Sequence, residues 1–283
     1  MRISCTEVDY IALGASSDFR ADGRQAFEFR DVVVESHVVP SVSGSCRAQV
    51  GGTDVLVYVK AELDEAQGKT GTEGVITITA HYSSVAGLDN EIRTSNILNA
   101  ELQESLNRLF SEKHAANLER LCLLEGRVAW TVLVDVTVLK VDGNVLDVAS
   151  FAVRNALLTT LVPYVDVIRG EEGEVDEIEV DDEPASRRLL LEGDPPVYIS
   201  LYLLGSKWIL DASQDEEASM TSKLSVGVNS RGKVCGVIKA GEGALEWDGL
   251  GDTLKTATRM GVKIIEGLRK LQFPRAETVG FFA

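Results

Sequence analysis

The sequence predicts an α+β fold made of two similar halves, and three observations carry that prediction. Alternating apolar residues mark strands in residues 31–82 and again in 197–240. Apolar residues at three- and four-residue spacing, the helical period, follow each group of strands. No low-complexity linker separates the groups, so both belong to one unit with a shared core. At 283 residues and 45% apolar content, the chain can bury such a core without disulfide or metal staples.

The elements follow in order. Residues 1–30 form an N-terminal segment with one apolar patch at 10–15 and a single base before it, which is no secretory signal. From residue 31, Val32, Val33 and Val34, then Val38 and Val39, are β-branched, and Ser41-Val42-Ser43-Gly44 supplies turn chemistry. Val55, Val57, Val59 and Ala61 alternate with polar neighbours, and Gly51-Gly52 ahead of them reads as a hairpin turn. A strand is predicted over 74–82. Leu98, Leu102, Leu106, Leu109 and Phe110 then mark a helix, and residues 128–138 a long strand. Residues 147–160 are apolar almost all round, which places that helix centrally. A short strand after Pro163 closes the first half (31–168). An acidic loop spans 169–194, and the second half (195–283) repeats strands at 197–204, 207–211, 222–229 and 233–240. It ends in a helix carrying Leu250, Leu254, Ala257, Met260, Ile264, Leu268 and Leu271.

Charge excludes some functions. The net charge is −16, and nine of the acids fall in residues 171–183 with no base among them; without that run the remainder carries −7. Affinity for nucleic acid comes largely from Lys and Arg neutralising phosphates, so strong independent binding is not expected of the chain alone. The acidic run reads as a solvated loop or as an acidic docking surface. No apolar run approaches the ~18 residues of a membrane span. Cys5, Cys46, Cys122 and Cys235 form no C-x-x-C pair, which points to reduced thiols in the cytosol or nucleus.

Several motifs fail on spacing. Gly68-Lys69-Thr70 resembles the end of a phosphate loop, but the glycine required five residues earlier is Leu63. His37, His81 and His114 have no metal-ligand spacing. The cluster Asp211-Ala212-Ser213-Gln214-Asp215-Glu216-Glu217 ends a predicted strand. Carboxylates there could hold a metal or relay a proton, or form a solvated turn and helix cap.

Arg20-Ala21-Asp22-Gly23-Arg24 is followed some twenty residues later by Gly44-Ser45, then Gly51, Thr53 and Val55. This paired pattern closely resembles the opening of the RNase PH family. Asp142-Gly143-Asn144, the Asp211 cluster and the closing helix fall where members have counterparts. The stretch 53–62, the acidic loop and Val279-Gly280-Phe281 resemble the branch that forms the ring of the eukaryotic RNA exosome. The resemblance implies the RNase PH fold, ribosomal protein S5 domain 2-like, with two β-α-β-α halves packed together. Its enzymes shorten RNA 3′ ends with inorganic phosphate, for which they need an anion pocket and carboxylates.

Against the active pattern this sequence departs at several positions. A loop supplying amides, a hydroxyl and a guanidinium becomes Gly143-Asn144-Val145-Leu146, an arginine on the preceding helix aligns with Ser105, and a further acid aligns with Lys223. Asp211 and Glu217 then stand as a vestige. The resemblance therefore implies a non-catalytic ring subunit, without metal or cofactor, that supports 3′-to-5′ RNA and rRNA processing in the nucleus, nucleolus and cytoplasm. Its partners would be other RNase PH-like ring subunits, S1/KH-type cap subunits and RNA threaded through the channel, with Arg108 and Lys113 as candidate RNA contacts, or else ordinary solvated charges. The competing expectation, an active phosphate-dependent 3′-to-5′ exoribonuclease, requires an intact phosphate loop.

Overall fold

The structure is a computed structural model describing residues 4–65, 72–84, 92–110, 118–168, 177–181, 183, 186–191, 193–245 and 247–271. Residues 68–70, Lys113, His114, most of the acidic run and residues 279–281 lie outside the described residues.

The chain opens on a helix, α1 (Cys5–Ser16), that hydrophobic spacing does not announce. A reciprocal cap starts it: Glu7 N–H donates to Ser4 Oγ at 3.4 Å and Ser4 N–H donates to Glu7 Oε2 at 2.8 Å. Only Ala15 is buried along it, while Tyr10 and Leu13 are exposed, so no apolar stripe exists to be read.

The first sheet comprises β1 (Val32–Ser36), β2 (Gly44–Val50), β3 (Thr53–Glu65), β4 (Val75–Tyr82), β5 (Cys122–Leu124) and β6 (Val128–Lys140), in the order β1-β2-β3-β6-β4 with β5 on the start of β6. Val38 and Val39 do not continue β1. His37 turns the chain at φ 58°, and Val39 N–H donates to Ser45 Oγ instead of a ladder partner. The β2–β3 hairpin turns at Gly51-Gly52, pairing Val50 with Thr53, and Gly51 takes the φ of 55° that such a turn needs. β4 pairs β6 in parallel. A parallel pair needs a crossover, and α2 (Ile92–Phe110) lies within it, burying Leu102, Leu106, Leu109 and Phe110.

The expectation for residues 147–160 matches the structure: α3 (Val145–Thr159) is buried from Val145 to Leu157. After β7 (Leu161–Val162) and β8 (Tyr164–Ile168), the structure corrects the uniform acidic loop. β9 (Glu177–Asp181) pairs antiparallel with β8, and β10 (Arg188–Leu189) with β7. The alternation of Ile178 and Val180 with Glu179 and Asp181 is a strand period hidden by the acid count.

The second sheet runs β12-β11-β13-β14, from β11 (Val197–Leu204), β12 (Lys207–Leu210), β13 (Ser222–Val228) and β14 (Val234–Ala240), with the short α4 (Gln214–Ala218) between β12 and β13. α2 and α3 sit between the two sheets, and α5 (Trp247–Leu271) packs on the outer face of the second. β11 is buried by both layers. Ser200 and Tyr202 meet the α3 side, while Ile199 lies 3.3 Å from where a Cβ on Gly261 of α5 would stand. That same Cβ would lie 2.9 Å from Val228 Cβ, so glycine permits the close approach. The buried line of α5 is Thr253, Ala257, Gly261, Ile265 and Leu268. The predicted Leu250, Leu254, Met260 and Ile264 flank it, because a glycine centres the contact and apolar counting passes over it.

Among the described residues no helix is long and apolar enough to cross a membrane. No disulfide joins Cys5, Cys46, Cys122 and Cys235, and burial pushes the Cys46 thiol up to about 12.

Candidate functional site

Asp211 ends β12 with φ 46° and its side chain is closed off from solvent. Five donors converge on it. Oδ2 accepts from Arg24 Nη1 (2.9 Å), Arg30 Nε (2.8 Å) and Arg30 N (2.9 Å); Oδ1 accepts from Arg30 Nη2 (2.7 Å) and Asn144 Nδ2 (3.0 Å). Burial would raise this carboxyl, but the hydrogen bonds and charge of Arg30 outweigh it and hold it below the ordinary carboxylate range. The lone pairs that would ligate a metal are thus already committed.

The N-terminal motif explains this arrangement. Arg20 grips Glu216 with both edges of its fork, Nε to Oε1 at 2.8 Å and Nη2 to Oε2 at 2.6 Å, and donates to the carbonyls of Leu210 and Asp211. Arg24 takes Asp22 as well as Asp211. Asp22 and Arg24 therefore fasten an irregular segment to the end of β12. Arg30 also reaches Asp142, joining the β2–β3 turn side of the molecule to the same carboxylate.

Glu217 stands one step further in. Its Oε2 accepts the backbone N–H of Asn144 (3.0 Å), and Oε1 accepts from Lys223 Nζ (3.0 Å), with the Tyr202 hydroxyl at 3.3 Å. Burial again opposes ionisation, and Lys223, Asn144 and Tyr202 together reverse it, leaving Glu217 below the usual range. Lys223 also lies 5.0 Å over the Tyr202 ring. Asn144 links the two acids: its φ is 55° at the start of α3, its side chain donates to Asp211, and its Oδ1 lies 3.0 Å from the Tyr202 hydroxyl. A helix N-terminus attracts anions, and here the protein's own carboxylate takes that amide. Gly143 is fixed by contact as well as by its φ of 81°, since a Cβ would lie 2.4 Å from the Ala212 carbonyl oxygen.

Beside this network lies a cleft of about 260 Å³ whose lining includes Glu101, Ser105, Val145, Leu146, Glu217 and Lys223. Its walls are mainly apolar, with two carboxylates against one lysine that is already paired. An anion entering it would find no unpaired cation among these lining residues. Arg108 does not line the cleft; it pairs with Glu104 at 2.9 Å on the exposed face of α2. Among the described residues no group of three His, Cys, Asp or Glu side chains is placed to hold a metal.

Five further residues matter here without having stood out as site residues in the sequence: Arg20, Arg30, Asn144 as a side-chain bridge, Tyr202 and Asp147. Asp147, wholly buried in the first turn of α3, accepts from Ser200 N (2.8 Å) and Ser200 Oγ (2.6 Å), and Ser200 Oγ meets Ser225 Oγ at 2.7 Å. Burial pushes this carboxyl from 3.8 up to about 7. An aspartate in the first turn of a mostly apolar helix was the available signal.

Comparison with known proteins gives the family. Residues 28–163 match the 3′ exoribonuclease family, domain 1, and residues 194–260 match its domain 2. The exosome complex component Rrp42 of Methanothermobacter thermautotrophicus is 31% identical over 90% of this chain and 91% of its own. RRP42 of Dictyostelium discoideum is 28% identical over 95% of this chain and 97% of its own. A chain in the Archaeoglobus fulgidus exosome with RNA bound to the active site superposes with a TM-score of 0.77 at 27% identity, covering 93% of this chain and 97% of that one.

Proposed function

Since the chain belongs to the RNase PH family of 3′ exoribonucleases, we propose that it is a non-catalytic subunit of an RNA exosome core ring. It would support 3′-to-5′ RNA and rRNA processing by scaffolding and by threading RNA, with other RNase PH-like subunits as ring neighbours. S1/KH-type cap subunits and work in the nucleus, nucleolus and cytoplasm belong to the same proposal. One observation carries the loss of chemistry: Glu217 accepts the Asn144 N–H at the start of α3, where the resemblance expects inorganic phosphate. A phosphate held there would face that carboxylate, and Val145 and Leu146 offer neither hydroxyl nor cation to offset it. Losing one such donor slows an enzyme by on the order of 10²–10³.

The test is release of nucleoside diphosphates from single-stranded RNA with phosphate and magnesium. The purified chain should release none, and release stoichiometric with shortening would establish the active exoribonuclease instead. In an assembled ring, Arg108→Glu with Lys113→Glu should weaken RNA protection and make the salt dependence shallower while assembly persists. Unchanged protection would return both to ordinary surface charges.

A further inference from the structure

Charge is distributed unevenly along this chain. Residues 229–271 carry eight bases and five acids, a net +3, while the remaining 240 residues carry −19. On α5, Lys255, Arg259 and Lys263 recur every four residues, on one side of the helix, with about 6 Å of rise between neighbours. They line an open groove whose other wall is Gly232 and Val234, at the β13–β14 turn, and whose floor includes Leu254 and Val262. Gly232 sits against α5: a Cβ there would lie 3.4 Å from Thr258 Cγ2. Arg231 and Lys233, either side of Gly232, therefore flank the same groove.

This edge is held in advance. Asn229 Oδ1 accepts the N–H groups of Arg231 (3.1 Å) and Lys233 (2.9 Å), and Ser230 N–H donates to Asp194 Oδ2 (3.1 Å). Asp194 is itself clamped by Arg154 and Arg269. Arg259 and Lys263 are exposed and, among the described residues, have no ion-pair partner; Lys255 has only the exposed Asp252. Among the described residues Glu266 is the one acid lining the groove. The groove is separate from the Glu217 cleft. Ile238 and Ala240 of β14 line the cleft on the α2 and α3 side, while Val234 lines the groove on the α5 side, so the two lie on opposite faces of the second sheet.

We propose that this groove is a second, sequence-independent binding surface for the backbone of single-stranded RNA. Cations spaced by one helical turn, about 6 Å apart, suit successive phosphates of an extended strand. The apolar floor accepts the face of a base, as strand-binding grooves do elsewhere. Nothing in this assignment depends on ring membership or on catalysis.

The test is fluorescence anisotropy of a labelled 20-nucleotide oligouridylate with the full chain between 25 and 200 mM salt. The Lys255→Glu, Arg259→Glu, Lys263→Glu variant should lose at least about tenfold in affinity at low salt. Three lost phosphate contacts should also make the slope of log affinity against log salt shallower by about 2. Circular dichroism should match the parent, because all three side chains are exposed. Arg231→Ala with Lys233→Ala should produce a smaller loss in the same direction, whereas Lys207→Glu, elsewhere on the surface, should not. An unchanged affinity and slope in the triple variant overturns the proposal. Tighter binding of an acidic peptide than of RNA overturns it too, and assigns the groove to an acidic protein.

Discussion

Asp211 and Asp147 are two carboxylates sealed from water close to one another, one on each side of Asn144, and they behave oppositely. Asp211 is bonded directly to guanidinium groups and held below the ordinary range; Asp147 is bonded to Ser200, and the charge of Lys223 and the side chain of Asn144 add too little to offset burial, so it is raised to about 7. Burial disfavours the charge in both. What differs is direct bonding to guanidinium groups, which reach Asp211 from an N-terminal segment 181 to 187 residues away in sequence. The Arg-x-Asp-Gly-Arg pattern thus acts as the neutralising half of a buried charge cluster.

The comparison can be broken most severely on the cationic side. Arg20→Met leaves Glu216 buried without its partner, and we expect a loss of about 3–5 kcal/mol in urea unfolding, the range for a buried pair broken on one side. A loss below 1 kcal/mol would mean that water or another base replaces the guanidinium.

On the other side of the comparison the expected sign is reversed. The folded pKa of Asp147 lies above its ordinary value, so the folded state binds its proton more tightly than the unfolded chain does. Its contribution is fully present below about pH 4 and is lost as pH rises through about 7. Asp147→Asn keeps an acceptor for Ser200 N–H and removes the charge. The variant should therefore be more stable than the parent at pH 8 by up to a few kcal/mol, with a flatter profile between pH 4 and 7. A variant less stable than the parent at every pH would show that the aspartate is held ionised. Asp211 works the other way: its depressed pKa stabilises the fold above the ordinary carboxylate range and is lost as pH falls through the folded value.

The smallest effect sharpens the link between the two acids. Tyr202→Phe removes a hydroxyl within reach of Asn144 and Glu217, and should cost about 1 kcal/mol, with more if Asn144 Oδ1 is left without a donor. No change in unfolding midpoint would place the bridge in Asn144 alone.

Much of this was legible in the chain beforehand, for identifiable reasons. α3, the long β6 and the Gly51-Gly52 hairpin could be read because burial on one face or on all sides leaves a period in the residues themselves. α1 left no such period, since its cap, not an apolar stripe, defines it. β9 was masked by the acids that alternate with Ile178 and Val180, and the packing line of α5 by a glycine. At the site, Asp211, Glu217, Val145 and Leu146 could be singled out by position. Their partners could not, because nothing local in Arg20, Arg30 or Tyr202 indicates which carboxylate each will meet.

The placement of α3 bears on how this molecule can be handled. Both sheets pack on it, the first with apolar strands and the second partly through Ser200 and Tyr202, so neither half owns it. A break in the acidic segment between β8 and β11 would give an N-terminal fragment with α3 uncovered on one side, and a C-terminal fragment whose sheet has lost the helix it closes upon. Each fragment would then carry a large sticky face that only the other fits. The two halves that the sequence pattern separates so readily are inseparable as reagents, and splitting them at the bench calls for co-expression, with reassembly around α3 as the step that restores solubility.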